Sequence, residues 1–223
     1  MSQTSVPVIA IDGPTASGKG TVAQRVADSL GFHYLDSGSL YRLTALAALR
    51  QGIDLANVPD LARVATNLQV VFQGGKTLLD GRDVGDEIRT ESASQNASRV
   101  AALPMVRDAL LTLQRDFRVA PGLVADGRDM GSVVFPDATL KVYLTATAEA
   151  RAVRRTKQLK EKGMSAIMDD VVKELRARDE RDMNRPVAPL KHYPDAYLID
   201  TTEISADQAV KKILGLAQKS VGS

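Results

Sequence analysis

The chain has 223 residues, a formal net charge of +2, 44% hydrophobic and 25% charged residues. This is the balance of a globular protein with room for one α/β domain and a small insert. It has no cysteine and only two histidines, which excludes disulfides, thiolate metal centres and a His-rich metal site. The near-neutral charge and the 4% aromatics without tryptophan argue against nucleic-acid binding through basic patches or stacking platforms.

The opening "MSQTSVPVIAIDG" has no basic region ahead of an apolar stretch, so no secretory signal is expected. No apolar run approaches the roughly 20 residues of a membrane helix, and a cytoplasmic monomer is expected. Val6–Ile11 reads as a short buried strand, apolar and β-branched, closed by Asp12-Gly13. From Gly18, "GKGTVAQRVADSLG" reads as a helix, with Val22, Val26 and Leu30 at helical spacing and Gly31 as its stop. "FHYLD" is a second strand, and "DSGSLYRLTALAALRQG" opens with capping residues and runs helical to Gly52.

The pattern then changes. "LQVVFQGGKTLLDGRDV" holds two strand-like runs with Gly-Gly and Asp-Gly turns, the mark of a small antiparallel piece. "ESASQNASRVAALPMVRDALLTLQRDFR" is helical and interrupted at Pro104. Leu123–Asp126 and "TLKVYLTA" resume the buried strands. A charged helical region covers about 149–184 with a break near Gly163, "AYLIDTT" is a last strand, and Ser205–Lys219 a last helix. Strands alternating with helices predict an α/β fold, a mostly parallel sheet with helices on both faces. The segment from about 60 to 100 interrupts that alternation and reads as an inserted subdomain.

"GPTASGKGT" fits the phosphate-binding pattern G-x-x-x-x-G-K through Gly13, Gly18 and Lys19. A buried strand precedes it and an amphipathic helix follows, as the pattern requires. Gly13 and Gly18 let the backbone bend, so that successive N–H groups and the helix N-terminus face phosphate oxygens. Lys19 adds a mobile positive charge for the β- and γ-phosphates. Gly20 stands where a metal-coordinating Ser or Thr is common, and the hydroxyl comes one place later, at Thr21.

A second constellation lies just beyond strand ends, where α/β sheets present ligands. "DSGSLYR" brings Ser37 and Tyr41 one helical turn apart with Arg42 beside them, and "ADGRDMG" supplies Asp126, Arg128 and Asp129. Arg151, Arg154 and Arg155 share a helix face, as do Arg178, Asp182 and Arg185. Each of these taken alone equally fits a tight turn or a solvated helix laced with ion pairs, such as Glu174–Arg178. Their density favours phosphate binding, since guanidinium grips phosphate oxygens bidentately and stays charged away from water. His33 reads as packing and His192 as surface.

With these residues in hand, the chain resembles the nucleoside monophosphate kinases, and within them the bacterial cytidylate kinases. The resemblance rests on "IDGPTASGKGT", "LDSGSLYR", "GRDVGDEIRT", "GLVADGRDMGSVVFPDA", "RARDERDMNRPVAPL" and "DTTEIS", spread over residues 11–205. It implies a P-loop NTPase-like fold: a core near 6–36, 104–150 and 186–223, a monophosphate-binding subdomain near 37–103, and a short lid with charged helices near 151–185. It implies transfer of phosphate from ATP to CMP or dCMP. Mg²⁺ would be held mainly by phosphates and water, without a protein metal site. It further implies that Gly13, Pro14, Thr15, Ala16, Ser17, Gly18, Lys19, Gly20 and Thr21 hold the ATP phosphates under Arg151, Arg154 and Arg155 of the lid. Ser37, Tyr41, Arg42 and Arg128 would surround the CMP phosphate. Ser98, Arg107, Asp129 and Arg185 would read the base, and Arg178 and Asp182 would face the sugar and the transferring phosphate. Lys19, Arg128 and Arg178 would be the catalytic cations. Thr15 and Ser17 depart slightly from the family's loop without removing a donor.

Three rivals are weaker. A kinase for shikimate or AMP does not account for the insert and the Ser98, Arg107, Asp129, Arg185 set. A GTP-dependent switch needs an N-K-x-D sequence, which is missing. A nucleic-acid-binding protein meets the objections of charge and composition.

Overall fold

The computed structural model describes residues 6–73, 76–161, 163 and 165–221. It divides into two compact units, one of residues 1–35 and 116–223 and one of residues 36–115.

The first unit is built on β1 (Val8–Asp12), which is buried along its whole length. Alternation splits its side chains between two covered faces. Ile9 and Ile11 join Val124, Val142 and Leu144 against Val22 and Val26 of α1 (Lys19–Leu30). The same cluster takes in Ile213 of α8 (Ala206–Val221). Val8 and Ala10 are equally buried on the opposite face. The sheet order is β2 (His33–Asp36), β6 (Leu123–Gly127), β1, β7 (Leu140–Thr145), β8 (Tyr197–Asp200). The β1–β6, β1–β7 and β7–β8 pairings are parallel. Flanked by β6 and β7, β1 sits where the chain order reverses, so the crevice beyond its carboxyl end is the expected ligand position in such a sheet. Register pairs Asp12 with Gly127. The segments leaving β1 and β6, which begin at Gly13 and Arg128, therefore start about one strand spacing apart, roughly 5 Å.

The charged region forms α6 (Ala148–Glu161) and α7 (Met168–Asn184), which join through Ala152, Val171 and Leu175. The break expected near Gly163 is there. That glycine is left-handed, at φ +74, and donates to Lys160 O at 2.9 Å, as a residue ending a helix does. A π-helical turn, Met130–Val134, follows β6 and has no counterpart in the sequence reading.

In the second unit, α2 (Ser37–Arg50) starts at Asp36, whose carboxylate accepts from Ser39 N at 3.1 Å. The antiparallel piece has three strands, β3 (Val70–Gln73), β4 (Lys76–Leu79) and β5 (Arg82–Asp83). Asp80 and Gly81, both at positive φ, make the two-residue turn between β4 and β5. The expected Gly74-Gly75 turn lies outside the described residues. A helix that sequence reasoning missed, α3 (Val58–Thr66), is capped by Asn57 and carries a proline in its first turn. α4 (Glu91–Val100) and α5 (Pro104–Asp116) flank the interruption expected at Pro104.

Candidate active site

Gly13 tolerates no side chain, because a Cβ there would lie 2.0 Å from Leu144 O on the neighbouring strand. Gly18, at φ +88, is the N-cap of α1. Lys19 is buried and its Nζ donates to Pro14 O at 3.1 Å. A Cβ on Gly20 would stand 3.2 Å from Asp126 Oδ2 and 3.6 Å from Tyr34 Oη. A Ser or Thr would therefore crowd that carboxylate, which gives the missing hydroxyl a packing reason. Thr21 is exposed on the first turn of α1. Ser17 Oγ is buried without a hydrogen-bond partner among the described residues.

Ala16 has φ +56, a conformation costing a residue with a Cβ about 1–2 kcal/mol. Glycine's extra freedom in the unfolded chain costs about 0.4–1 kcal/mol. Relief outweighs entropy, and Ala16→Gly is expected to raise stability by about 0.5–1 kcal/mol in equilibrium denaturation. A loss of stability would contradict this account of the loop.

Two of the α6 arginines hold the loop by its carbonyls. Arg151 Nη1 donates to Thr15 O at 3.1 Å and its Nε to Ala146 O at 3.0 Å. Arg154 Nη1 donates to Ser17 O at 3.3 Å and to Thr201 Oγ1 at 3.1 Å. Arg155 is half-buried on the same helix.

Past β6, Arg128 Nε meets Asp182 Oδ2 at 2.8 Å, and Arg185 Nη2 meets Asp129 Oδ1 at 3.3 Å. Burial alone would lower the Arg128 guanidinium, but Asp182 first and then Asp126 and Asp179 hold it above its ordinary value. Burial alone would raise the Asp182 carboxyl, yet Arg128, then Arg178 and Arg185, bring it below the usual carboxylate range. A depressed native pKa adds stability above the unfolded value near 3.8, and that stability is lost as pH falls through the native value. Wild-type stability should therefore fall below about pH 4 more steeply than that of Asp182→Asn; parallel pH profiles would contradict the ion pair's role.

Asp12, just before the loop, is fully buried and accepts from Met130 N at 2.8 Å and Gly131 N at 2.9 Å. It also accepts from the Tyr193 hydroxyl. Burial raises the carboxyl's pKa; the hydrogen bonds from Gly131, Tyr193 and Met130 only partly offset this. Its position fixes the first amides of the π-helical turn that follows Asp129.

The second unit gathers a set of its own. Ser37 Oγ donates to Gln114 Oε1 at 2.7 Å. Arg42 pairs with Asp36 and donates to Ser39 Oγ at 2.8 Å, leaving its buried Nε without a hydrogen bond among the described residues. The Arg107 guanidinium lies 5.7 Å from the Tyr41 ring centroid and donates to Ala101 O at 3.2 Å. Ser98 Oγ is buried and has no hydrogen-bond partner among the described residues. Two guanidinium groups and a buried hydroxyl of this kind suit an anionic, hydrogen-bonding ligand. Asp12, Asp179, Tyr193 and Gln114 are site neighbours that sequence reasoning did not single out.

Comparison with known proteins bears on the family. A family model described as cytidylate kinase matches residues 9–219. The chain is 61% identical over 210 residues to a cytidylate kinase of Chromobacterium violaceum, covering 94% of this chain and 95% of the relative. It is 54% identical over 216 residues to one of Nitrosomonas europaea, covering 97% of each. Among solved structures it is similar to a gluconokinase from Sinorhizobium meliloti, with TM-score 0.50, 12% identity and coverage of 97% and 95%. It is also similar to an uncharacterized protein from Eubacterium ventriosum, with TM-score 0.54, 10% identity and coverage of 96% and 99%. Those two likenesses speak to the fold alone.

Proposed function

The chain belongs to the cytidylate kinase family, and from that premise we propose how its own residues carry the reaction. The chain transfers the γ-phosphoryl group of ATP to CMP or dCMP, giving ADP and CDP or dCDP. The observation that carries the residue assignment is the pairing of Asp12 with Gly127. It starts the phosphate loop and the Arg128 segment side by side at the carboxyl end of the sheet.

A phosphate oxygen of CMP attacks the γ-phosphorus, and the bond from that phosphorus to the β–γ bridging oxygen breaks. The attacking oxygen is already ionised near neutral pH, so no strong base is required. The work is alignment and charge stabilisation. The loop from Gly13 to Thr21 holds the ATP phosphates through its backbone amides other than Thr15 N, which donates to Asp179, and Lys19 follows the charge that moves onto the leaving oxygen. Arg128 and Arg178 take the oxygens of the transferring and accepting phosphates. Ser37, Tyr41 and Arg42 of the second unit bind the CMP phosphate, while Ser98, Arg107, Asp129 and Arg185 read the base. Asp182 orients Arg128 and faces the sugar. Arg151, Arg154 and Arg155 belong to the lid near 151–185, with the monophosphate-binding region near 37–103.

Mg²⁺ fits as an ion carried in by the triphosphate. The space Gly20 leaves in front of Asp126 Oδ2 offers one buried carboxylate, and the described residues contain no cluster of three or more His, Cys, Asp or Glu ligands. One carboxylate plus phosphates and water suits this ion, with Asp126 and the Thr21 hydroxyl the side chains that would hold it. When bound it neutralises phosphate charge. In this reading the chain works as a cytoplasmic monomer without nucleic acid or a membrane surface. Among the described residues no helix is long and apolar enough to cross a membrane.

The test is ADP release from ATP with CMP, dCMP, UMP, AMP or no acceptor. Strong release with CMP and dCMP, weak with UMP and none with AMP is expected. Equal release with AMP and CMP would overturn the acceptor assignment.

A further inference from the structure

One carboxylate in the first unit is not used by this mechanism. Asp179, on α7, is 6% exposed and lies on the same buried face as Val171, Leu175 and Asp182. Its Oδ1 accepts from Thr15 N at 3.3 Å, and its Oδ2 pairs with Arg151 Nη1 at 2.6 Å. That same Nη1 donates to Thr15 O at 3.1 Å. The amide and the carbonyl of a single loop residue are thus both held by one buried ion pair. The next residue, Ala16, is in the left-handed region at φ +56, and the carbonyl after it, Ser17 O, is held by Arg154 Nη1 at 3.3 Å and by Thr201 Oγ1 at 3.3 Å. A strained backbone residue persists only where its surroundings over-determine it. Here the restraint comes from both sides.

We propose that Asp179 is a positioning residue for the ATP site: with Arg151 it clamps the Thr15 peptide and keeps the phosphate loop in its anion-accepting shape before nucleotide arrives. The inference rests on the reading of Gly13 to Thr21 as the ATP loop. Its energetic logic is preorganisation: a loop already shaped for phosphate loses less freedom on binding. Because the pair is buried, it is screened little by salt and is sensitive to loss of either charge. Asp179→Asn keeps an oxygen that can accept from Thr15 N but no longer matches the charge of Arg151. Asp179→Ala removes both.

The experiment measures the Kd of a non-hydrolysable ATP analogue, the KM values for ATP and CMP, kcat and the thermal midpoint in wild type, Asp179→Asn and Asp179→Ala. The expected result is a weakening of the ATP analogue by about 10–100-fold in Asp179→Ala, the scale of losing charge-assisted hydrogen bonds. A smaller loss is expected in Asp179→Asn, with the KM for CMP within about 3-fold in both. If Asp179→Ala does not fold, Asp179→Asn, nearly the same in volume, decides alone. An unchanged analogue Kd in a folded variant, or ATP and CMP weakened in equal proportion, would overturn the clamp. The two readings fail separately. A wild type that does not turn over CMP, with nucleotide binding still weakened by the variants, sinks the acceptor assignment and keeps the clamp. Wild-type turnover of CMP with unchanged analogue binding in the variants does the reverse.

Discussion

Lys19→Met is expected to lower kcat by about 10²–10³-fold, the scale of removing one preorganised charge donor. Lys19 opens α1 where the loop passes into the helix and is buried, with Nζ 3.1 Å from Pro14 O. That hydrogen bond holds the ammonium close to the loop, from where the proposed role has it turn to the phosphates of bound nucleotide. Methionine keeps the length and apolar stem but carries no charge, so packing is preserved. The loss should fall on kcat, with the KM for CMP changed by less than about 3-fold, because the acceptor is held elsewhere. Steady-state kinetics with ATP and CMP check this. A variant that retained kcat and only bound ATP more weakly would show that Lys19 serves binding and not charge development.

Asp129→Ala should narrow the preference for CMP over UMP by about 10²-fold, measured as the ratio of kcat/KM values. Asp129 is 3% exposed and aligned by Arg185 Nη2 at 3.3 Å. Cytosine presents an amino donor where uracil presents a carbonyl acceptor. A buried carboxylate satisfies the first and opposes the second, and such mismatches discriminate strongly. Losing the carboxylate weakens CMP and relieves UMP, so both changes push the ratio the same way. Equal proportional losses for CMP and UMP would mean that Asp129 does not read the base. Removing it also leaves Arg185 buried without this partner, so thermal stability must be followed in parallel.

The parts of the fold that were legible in the sequence are those set by local periodicity. The apolar run at 8–11, the helical spacing of Val22, Val26 and Leu30, and the Asp80-Gly81 turn each report on neighbours a few residues away. α3 was hidden because its core face is only Leu61, Val64 and Ala65; Asn57 with Pro59 just after it was the signal that could have found it. In the site, the loop and the arginine clusters stood out by residue type, but their partners did not. Asp179 sits in "RARDERDMNR", where nearly every residue is charged and composition cannot separate buried from exposed. The clue lay upstream, since Val171 and Leu175 start a buried stripe that reaches 179 and 182. That Arg151 and Arg154 bind loop carbonyls depends on contacts 136 and 137 residues apart, which no local pattern carries. Asp12 reads locally as no more than the end of a strand, although a carboxylate closing a wholly buried strand requires donors from elsewhere.

Transfer between phosphates is tested most directly by following the label from ATP carrying ³²P in its γ-phosphate in the presence of CMP, with separation of the nucleotide products. The label is expected as the β-phosphate of CDP, in step with ADP formation, and is expected to be released as inorganic phosphate only slowly when CMP is withheld. Label found mainly in inorganic phosphate, or attached to CMP at a sugar hydroxyl, would contradict transfer between phosphates at this site.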